Sequence, residues 1–62
     1  MKKSKYLLVG DKIKEKGLVL TVIKTPVPMG KDSIYQVKCV KENGETATFV
    51  VGGNIKLEVI NG

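Results

Sequence analysis

The sequence predicts an all-β domain, a small five-stranded barrel. Valine, isoleucine and threonine dominate its apolar segments, and β-branched residues favour strands. Apolar and polar residues alternate with a period of two in most of these segments, which is the spacing of a half-buried strand. Turn signals rich in glycine, proline and asparagine divide the 62 residues into short pieces, as expected of a small sandwich or barrel. A chain of this length forms one domain with a thin core.

The first two strands are predicted on either side of Gly17, which marks a turn or a sharp bend. Residues 11–16 form the first strand, and its side chains alternate between faces, so Ile13 points inward with Glu15. The opposite side of this strand carries a row of three lysines, Lys12, Lys14 and Lys16. Residues 18–25, LVLTVIKT, form the second strand, which is apolar enough at its start to be covered on both faces.

The segment TPVPMGKD, residues 25–32, is predicted to be a loop. Prolines do not donate to a sheet ladder, and Gly30 with Asp32 favours a turn. Exposed apolar side chains on a loop stiffened by proline suit partner binding, because little entropy is lost on docking. This interpretation assigns partner binding to Val27, Pro28 and Met29. The alternative is that these side chains fold back and cap one end of the barrel.

Residues 33–40 and 46–51 are predicted to be the third and fourth strands, joined by a hairpin at Asn43-Gly44. Both hairpin residues tolerate positive φ, which makes this pair the strongest short hairpin signal. Alternation directs six side chains of these strands toward the core: Tyr35, Val37, Cys39, Ala47, Phe49 and Val51.

The fifth strand, residues 55–60, follows a tight turn at Gly52-Gly53-Asn54. Alternation places Ile55, Leu57 and Val59 on one face of this strand. The glycine-rich turn also offers backbone N–H groups as an anion-binding nest. Because the pattern of a phosphate loop does not continue into a helix, a turn between strands is favoured.

The opening LLVGDKIKEKG, followed by LVLTVI, resembles the Val-Gly-Asp start of many SH3-like small β-barrels, including KOW-type and Tudor-like modules. The resemblance extends from about Leu7 to Ile60, which divides the chain into a basic lead-in, residues 1–6, and an SH3-like domain, residues 7–62. The further glycine and basic positions of a KOW motif are not clear here. The aromatic cage of methyl-lysine readers and the aromatic groove of signalling SH3 domains are also missing. The resemblance therefore implies a fold and transfers no function.

The charge favours contacts to nucleic-acid phosphates. The formal net charge is +5, and all eleven cations are lysines. Because lysine lacks the forked guanidinium that reads base edges, contacts to a nucleic acid are expected to be backbone-directed and weakly selective. The predicted nucleic-acid-binding residues are Lys2, Lys3, Lys5, Lys12, Lys14 and Lys16. The alternative is that the lysine row protects an exposed edge strand from aggregation.

A second polar surface is predicted on the outward sides of the strands. Its residues are Thr21, Gln36, Lys38, Thr48 and Lys56. Such a face resembles the platform of oligonucleotide-binding barrels, but those platforms stack bases on aromatic side chains. Tyr35 lies on the inward parity, so an ordinary solvated face is favoured here.

Enzyme chemistry is not indicated, and no cofactor or metal is expected. The chain has no histidine, and the carboxylates show no metal-ligand spacing. Cys39, the single cysteine, is predicted to be a buried small hydrophobe.

Without disulfides a reducing cytoplasm is the expected compartment. The apolar part of MKKSKYLLVG is too short for a secretory signal, and no run is long enough for a membrane span, so we expect a whole cytosolic product beginning at its own Met1.

Three functions remain open from the sequence. The first is a nucleic-acid-associated module that grips phosphates. The second is a protein-interaction module, such as an inhibitor or adaptor of the kind phages and mobile elements encode, docking by a sheet edge or the Pro26–Met29 loop. The third is a structural subunit that self-associates into a homo-oligomer. We expect a non-enzymatic binding protein, with nucleic acid ahead of a protein partner.

Overall fold

Six strands form one antiparallel sheet in the computed structural model, which describes residues 1–30 and 33–60. The strands are β1 (Lys2–Lys3), β2 (Lys12–Glu15), β3 (Leu18–Met29), β4 (Ile34–Lys41), β5 (Thr46–Gly52) and β6 (Lys56–Val59). A short 3₁₀ turn, Ser4–Tyr6, follows β1. The order across the sheet is β1-β6-β2-β3-β4-β5. The predicted all-β class is confirmed, and no helix in the described ranges is long and apolar enough to cross a membrane.

The sheet is not closed into a barrel, so the predicted closure is not found. Within residues 1–30 and 33–60, β1 and β5 are the two ends of the sheet and do not pair. The turn after β1 reaches the end of β5 at one point: the Ser4 hydroxyl donates to the Gly52 carbonyl at 2.5 Å, and the Lys5 N–H donates to the Gly53 carbonyl at 3.2 Å. These bonds tie the two ends of the sheet together without a strand ladder.

The N-terminal residues form an additional strand, β1, that the sequence pattern did not predict. In β1, Lys2 pairs with Leu57 and Lys3 pairs with Lys56. The next residue, Ser4, is buried, and its N–H donates to the Ile55 carbonyl at 2.9 Å. The predicted basic lead-in is therefore part of the sheet.

The loop predicted at residues 25–32 is wrong for its first part, because β3 continues through both prolines. Pro28 pairs with Tyr35 on β4, and Met29 pairs with Ile34. On its other side, β3 pairs with β2 from Leu18 to Thr21, and Val22 bonds to Gly10 and Asp11. Beyond Val22, β4 is the one strand that pairs with β3 among the described residues, so a missing proline N–H can face the unpaired side without breaking the ladder. Asp32, which was predicted to turn the chain, lies outside the described residues.

Two glycine-containing turns connect β4 to β5 and β5 to β6. Gly44 has a φ of +89°, and its N–H donates to the Lys41 carbonyl at 2.9 Å. Asn43 does not have a positive φ, so the predicted hairpin is confirmed but closes through a longer loop with glycine in the left-handed region. The predicted turn at Gly52-Gly53-Asn54 is confirmed, because the Ile55 N–H donates to the Gly52 carbonyl at 3.1 Å. The Gly53 N–H donates to the Ser33 carbonyl at 2.6 Å, so this donor is already bonded.

One cluster of apolar side chains forms the core, as the alternation predicts. Its buried members are Leu7, Ile13, Leu20, Val22, Val37, Cys39 and Leu57, with Phe49, Val51 and Val59 packed against them. Burial raises the pKa of the Cys39 thiol, which fits the predicted role as a small hydrophobe. One prediction is wrong: Leu18 is exposed although the start of its strand was expected to be covered. Ile55 lines the same inner surface as Leu57, as the alternation predicts, but its side chain is exposed.

Candidate nucleic-acid interface

The lysine row lies in the interior of the sheet rather than at its edge. β2, which carries Lys12 and Lys14, has β6 on one side and β3 on the other. Lys14 is opposite Val19 on β3 and Glu58 on β6. Both lysine side chains are exposed. The alternative interpretation of the row as protection of an edge strand is therefore wrong for Lys12 and Lys14, because β2 has a strand on each side.

The structure does not bring all six predicted lysines onto one surface. Lys2 is opposite the buried Leu57, and its Nζ donates to Asp11 Oδ2 at 2.9 Å. The Lys5 ammonium lies 5.3 Å from the centre of the Tyr6 ring. Lys16 lies in the turn between β2 and β3. Of the predicted set, only Lys3, Lys12 and Lys14 lie on the outward side of the sheet.

Register places three further lysines on the same side, because residues directly opposite one another on neighbouring strands share a face. Lys56 is opposite Lys3, and Lys24 is opposite Lys38. We call this surface the outer basic face; its lysines are Lys3, Lys12, Lys14, Lys24, Lys38 and Lys56. By the same registers Glu58 is the carboxylate on this face.

The outer basic face accounts for the whole formal charge of the chain. Its six lysines and one carboxylate give a balance of +5, and the formal net charge of the chain is also +5. Among the described residues, the other four lysines and four carboxylates balance each other. A surface with such an excess of positive charge can attract a polyanion.

Lys24 and Lys38 border a shallow pocket of about 170 Å³ on the outer basic face. The pocket is lined by Lys24, Thr25, Val27, Gln36, Lys38 and Thr48. Like charges directly opposite each other across two strands are destabilising. Neither Lys24 nor Lys38 forms an ion pair with a carboxylate of the described residues. Two ammonium groups, two hydroxyls and an amide can together donate hydrogen bonds to an oxyanion of phosphate size.

Sequence reasoning missed Lys24 because of an irregularity in β3. Regular alternation would place Lys24 on the same side as the buried Val22. The ladder between β3 and β4 shifts register between Val22 and Lys24, so Lys24 falls opposite Lys38 instead. Nothing in LVLTVIKT indicates this bulge, whereas Gln36, Lys38 and Thr48 were assigned to the outward surface correctly.

The predicted partner-binding residues lie on a strand, and two of them share the outward side. Val27 is opposite Gln36, Met29 is opposite Ile34, and Gln36 is opposite Val50 on β5. We call the exposed apolar set at this end of the sheet the outer apolar patch; it comprises Val27, Met29, Ile34 and Val50. Pro28, opposite Tyr35, faces the other way.

Comparisons with known proteins give no relative for this chain. A scan against protein-family models found no match, and searches of curated proteins and of solved structures also found none. Function is therefore inferred from the residues of this chain and their geometry.

Proposed function

We propose that this chain is a small non-enzymatic binding protein that holds the phosphate backbone of a nucleic acid on its outer basic face. The observation that carries the proposal is the separation of charge: six lysines and one carboxylate share one side of the sheet. The Lys24–Lys38 pocket supplies a place where one phosphate receives several donors. Lysine contacts of this kind position a polyanion with little sequence selectivity.

Phosphate binding on the outer basic face does not require bases to stack on aromatic side chains. Tyr35 is half-buried, and its ring lies close to the backbone of Gly53, so it is not available as a platform. Affinity would then come from phosphate contacts and counterion release, which makes it strongly dependent on salt.

We also propose that the sheet is an open form of the SH3-like barrel that the sequence resembles. Two observations support this: alternate residues of all the longer strands meet in one core, and the turn after β1 bonds to the end of β5. The buried, unpaired thiol of Cys39 suits a reducing compartment such as the cytoplasm.

Replacing Lys24 and Lys38 together with glutamine is expected to weaken binding and flatten its salt dependence. Each lost phosphate contact lowers the slope of log affinity against log salt by about 0.9 for duplex DNA, so the pair should lower it by about 1.8. Fluorescence anisotropy of labelled single- and double-stranded oligonucleotides across a salt series measures both quantities. The matched control replaces Lys16 and Lys41, which lie off the outer basic face, and should leave the slope unchanged. Negligible binding at low salt, or equal losses in both variants, would contradict the proposal.

A second candidate function, docking of a protein partner, is favoured by the outer apolar patch. Four exposed apolar side chains from three neighbouring strands lie on the outward side of the sheet there. Changing Met29 to aspartate is expected to abolish binding of any partner that buries this patch, because the new carboxylate would be desolvated without a counter-charge. Pull-down from cell extract with the wild type, the Met29→Asp variant and a Leu8→Asp control measures this. Equal loss of a partner from both variants would show that this partner does not bind the outer apolar patch. Sedimentation that detects a dimer would assign the patch to a second copy of the chain instead.

A further inference from the structure

The inner side of the open sheet carries an apolar cleft, which has Lys56 in common with the outer basic face and Val50 in common with the outer apolar patch. Its volume is about 600 Å³. Eight apolar residues from β3, β5 and the β6 region line it: Leu18, Leu20, Ala47, Phe49, Val50, Val51, Ile55 and Leu57. Leu18 and Ile55 are more than half exposed in this wall. A closed barrel would bury these groups, so the cleft is the interior that the missing closure leaves open.

One wall of the cleft is also the edge of a strand, which has no second strand neighbour among the described residues and is bonded to Ser4 only at its last residue, Gly52. β5 spans Thr46–Gly52 and is the last strand of the sheet, with β4 as its neighbour. Phe49, Val50 and Val51 border the cleft along this edge. An unpaired edge presents backbone N–H and C=O groups that accept an added strand. A strand added there would direct every second side chain into the cleft, because side chains alternate along a strand.

The charges around the cleft select the kind of strand that fits. Its rim carries Lys16, Lys41 and Lys56 against one carboxylate, Glu15. A second copy of the chain would bring the same positive rim against the first, whereas a segment with carboxylates beside its apolar side chains would complement it. The complementarity therefore favours an acidic partner over self-pairing.

We propose that the β5 edge and the inner cleft bind an extended segment of a partner protein, with alternate apolar side chains in the cleft and acidic side chains at the lysine rim. This site lies on the opposite side of the sheet from the proposed phosphate-binding pocket and takes a different ligand. Main-chain hydrogen bonds to β5 supply affinity, and the cleft and rim supply specificity.

The proposal is tested with a synthetic nonapeptide and the full isotope-labelled chain. In the peptide, valine, phenylalanine and valine occupy alternate positions, threonine fills the positions between them, and glutamate continues the apolar face at both ends. The expected result is that amide NMR signals of β5 shift on titration, and that the peptide binds about tenfold more tightly than its counterpart with lysine ends. No shift in β5 at millimolar peptide, or equal affinity of the two peptides, would overturn the proposal.

Matched variants locate the peptide. Leu18→Glu places a charge in the cleft wall and should weaken binding by about tenfold. Leu8→Glu is the control, because Leu8 is 59% exposed, similar to Leu18 at 54%, and does not line the cleft. Lys16→Glu, at an exposed rim position, leaves two lysines against two carboxylates on the rim and should abolish the preference between the two peptides without touching the wall. Sedimentation showing a wild-type dimer that Leu18→Glu dissociates would assign the cleft to a second copy and overturn the proposal.

Discussion

Replacing Gly53 with alanine is expected to lower the free energy of unfolding by about 2 kcal/mol. A Cβ on this buried residue would lie 2.5 Å and 2.8 Å from two ring atoms of Tyr35 and 3.2 Å from the Ser33 carbonyl oxygen. The backbone has little freedom to move away, because the Gly53 N–H is bonded to Ser33 and its carbonyl accepts from Lys5. A domain of this size has a total stability of about 3–9 kcal/mol, so the loss is a large part of it.

Urea denaturation of the wild type and the variant measures the effect, and the neighbouring glycine is the matched control. A Cβ on Gly52 would meet its nearest atom, in Ile55, at 3.4 Å, which is ordinary contact. Gly52→Ala should therefore be neutral or slightly stabilising through the unfolded chain. Shortening Tyr35 to leucine should reduce the cost of Gly53→Ala. Equal costs at both glycines would show that the Tyr35 contact is not the cause.

Asp11→Ala is expected to cost about 3 kcal/mol of stability. The Asp11 side chain is only 8% exposed, and its Oδ2 accepts a hydrogen bond from the Leu8 N–H at 2.9 Å and from Lys2 Nζ at 2.9 Å. These bonds hold β1 and the turn before β2 together. Hydrogen bonds to a charged group contribute more than neutral ones, and removing the carboxylate leaves both donors to find other partners.

The Asp11→Asn variant separates the two bonds. Asparagine keeps an oxygen that can accept from the Leu8 N–H and loses the charge that pairs with Lys2, whose side chain is 32% exposed. Because a partly exposed ion pair contributes little, the expected cost is about 1 kcal/mol. Chemical denaturation at low and high salt measures both variants. If Asn and Ala cost the same and the difference from wild type vanishes in salt, the ion pair rather than the turn is the stabilising element.

Local alternation predicted much of this fold because it is a geometric property of any strand. Ile13, Val37 and Cys39 are buried as their positions in the pattern indicate. The strand through Pro26 and Pro28 was not predictable, since proline is tolerated there only because β2 ends early, and the length of a neighbouring strand is not encoded in the prolines themselves.

The candidate interface was predictable only in part for a similar reason. Exposure of Lys12 and Lys14 follows from one strand, but which other lysines join them depends on sheet order and register. Lys2 faces inward because it is opposite Leu57, a residue far away in sequence. Lys24 faces outward because of a bulge with no local signature. Long-range strand pairing therefore determines which lysines lie on the outer basic face. The sequence pattern predicts only that some exposed lysines share a side.

The unequal ends of the sheet limit how far copies of this molecule can stack. Fibril growth requires two usable strand edges on each monomer, so that every added copy offers a new one. At one end of this sheet, β1 is two residues long, and at the other, β5 is seven. The exposed stretch of β3 carries prolines. Cross-β addition at β5 would use the one long edge without prolines that the described residues offer, and polymerisation would end at the pair.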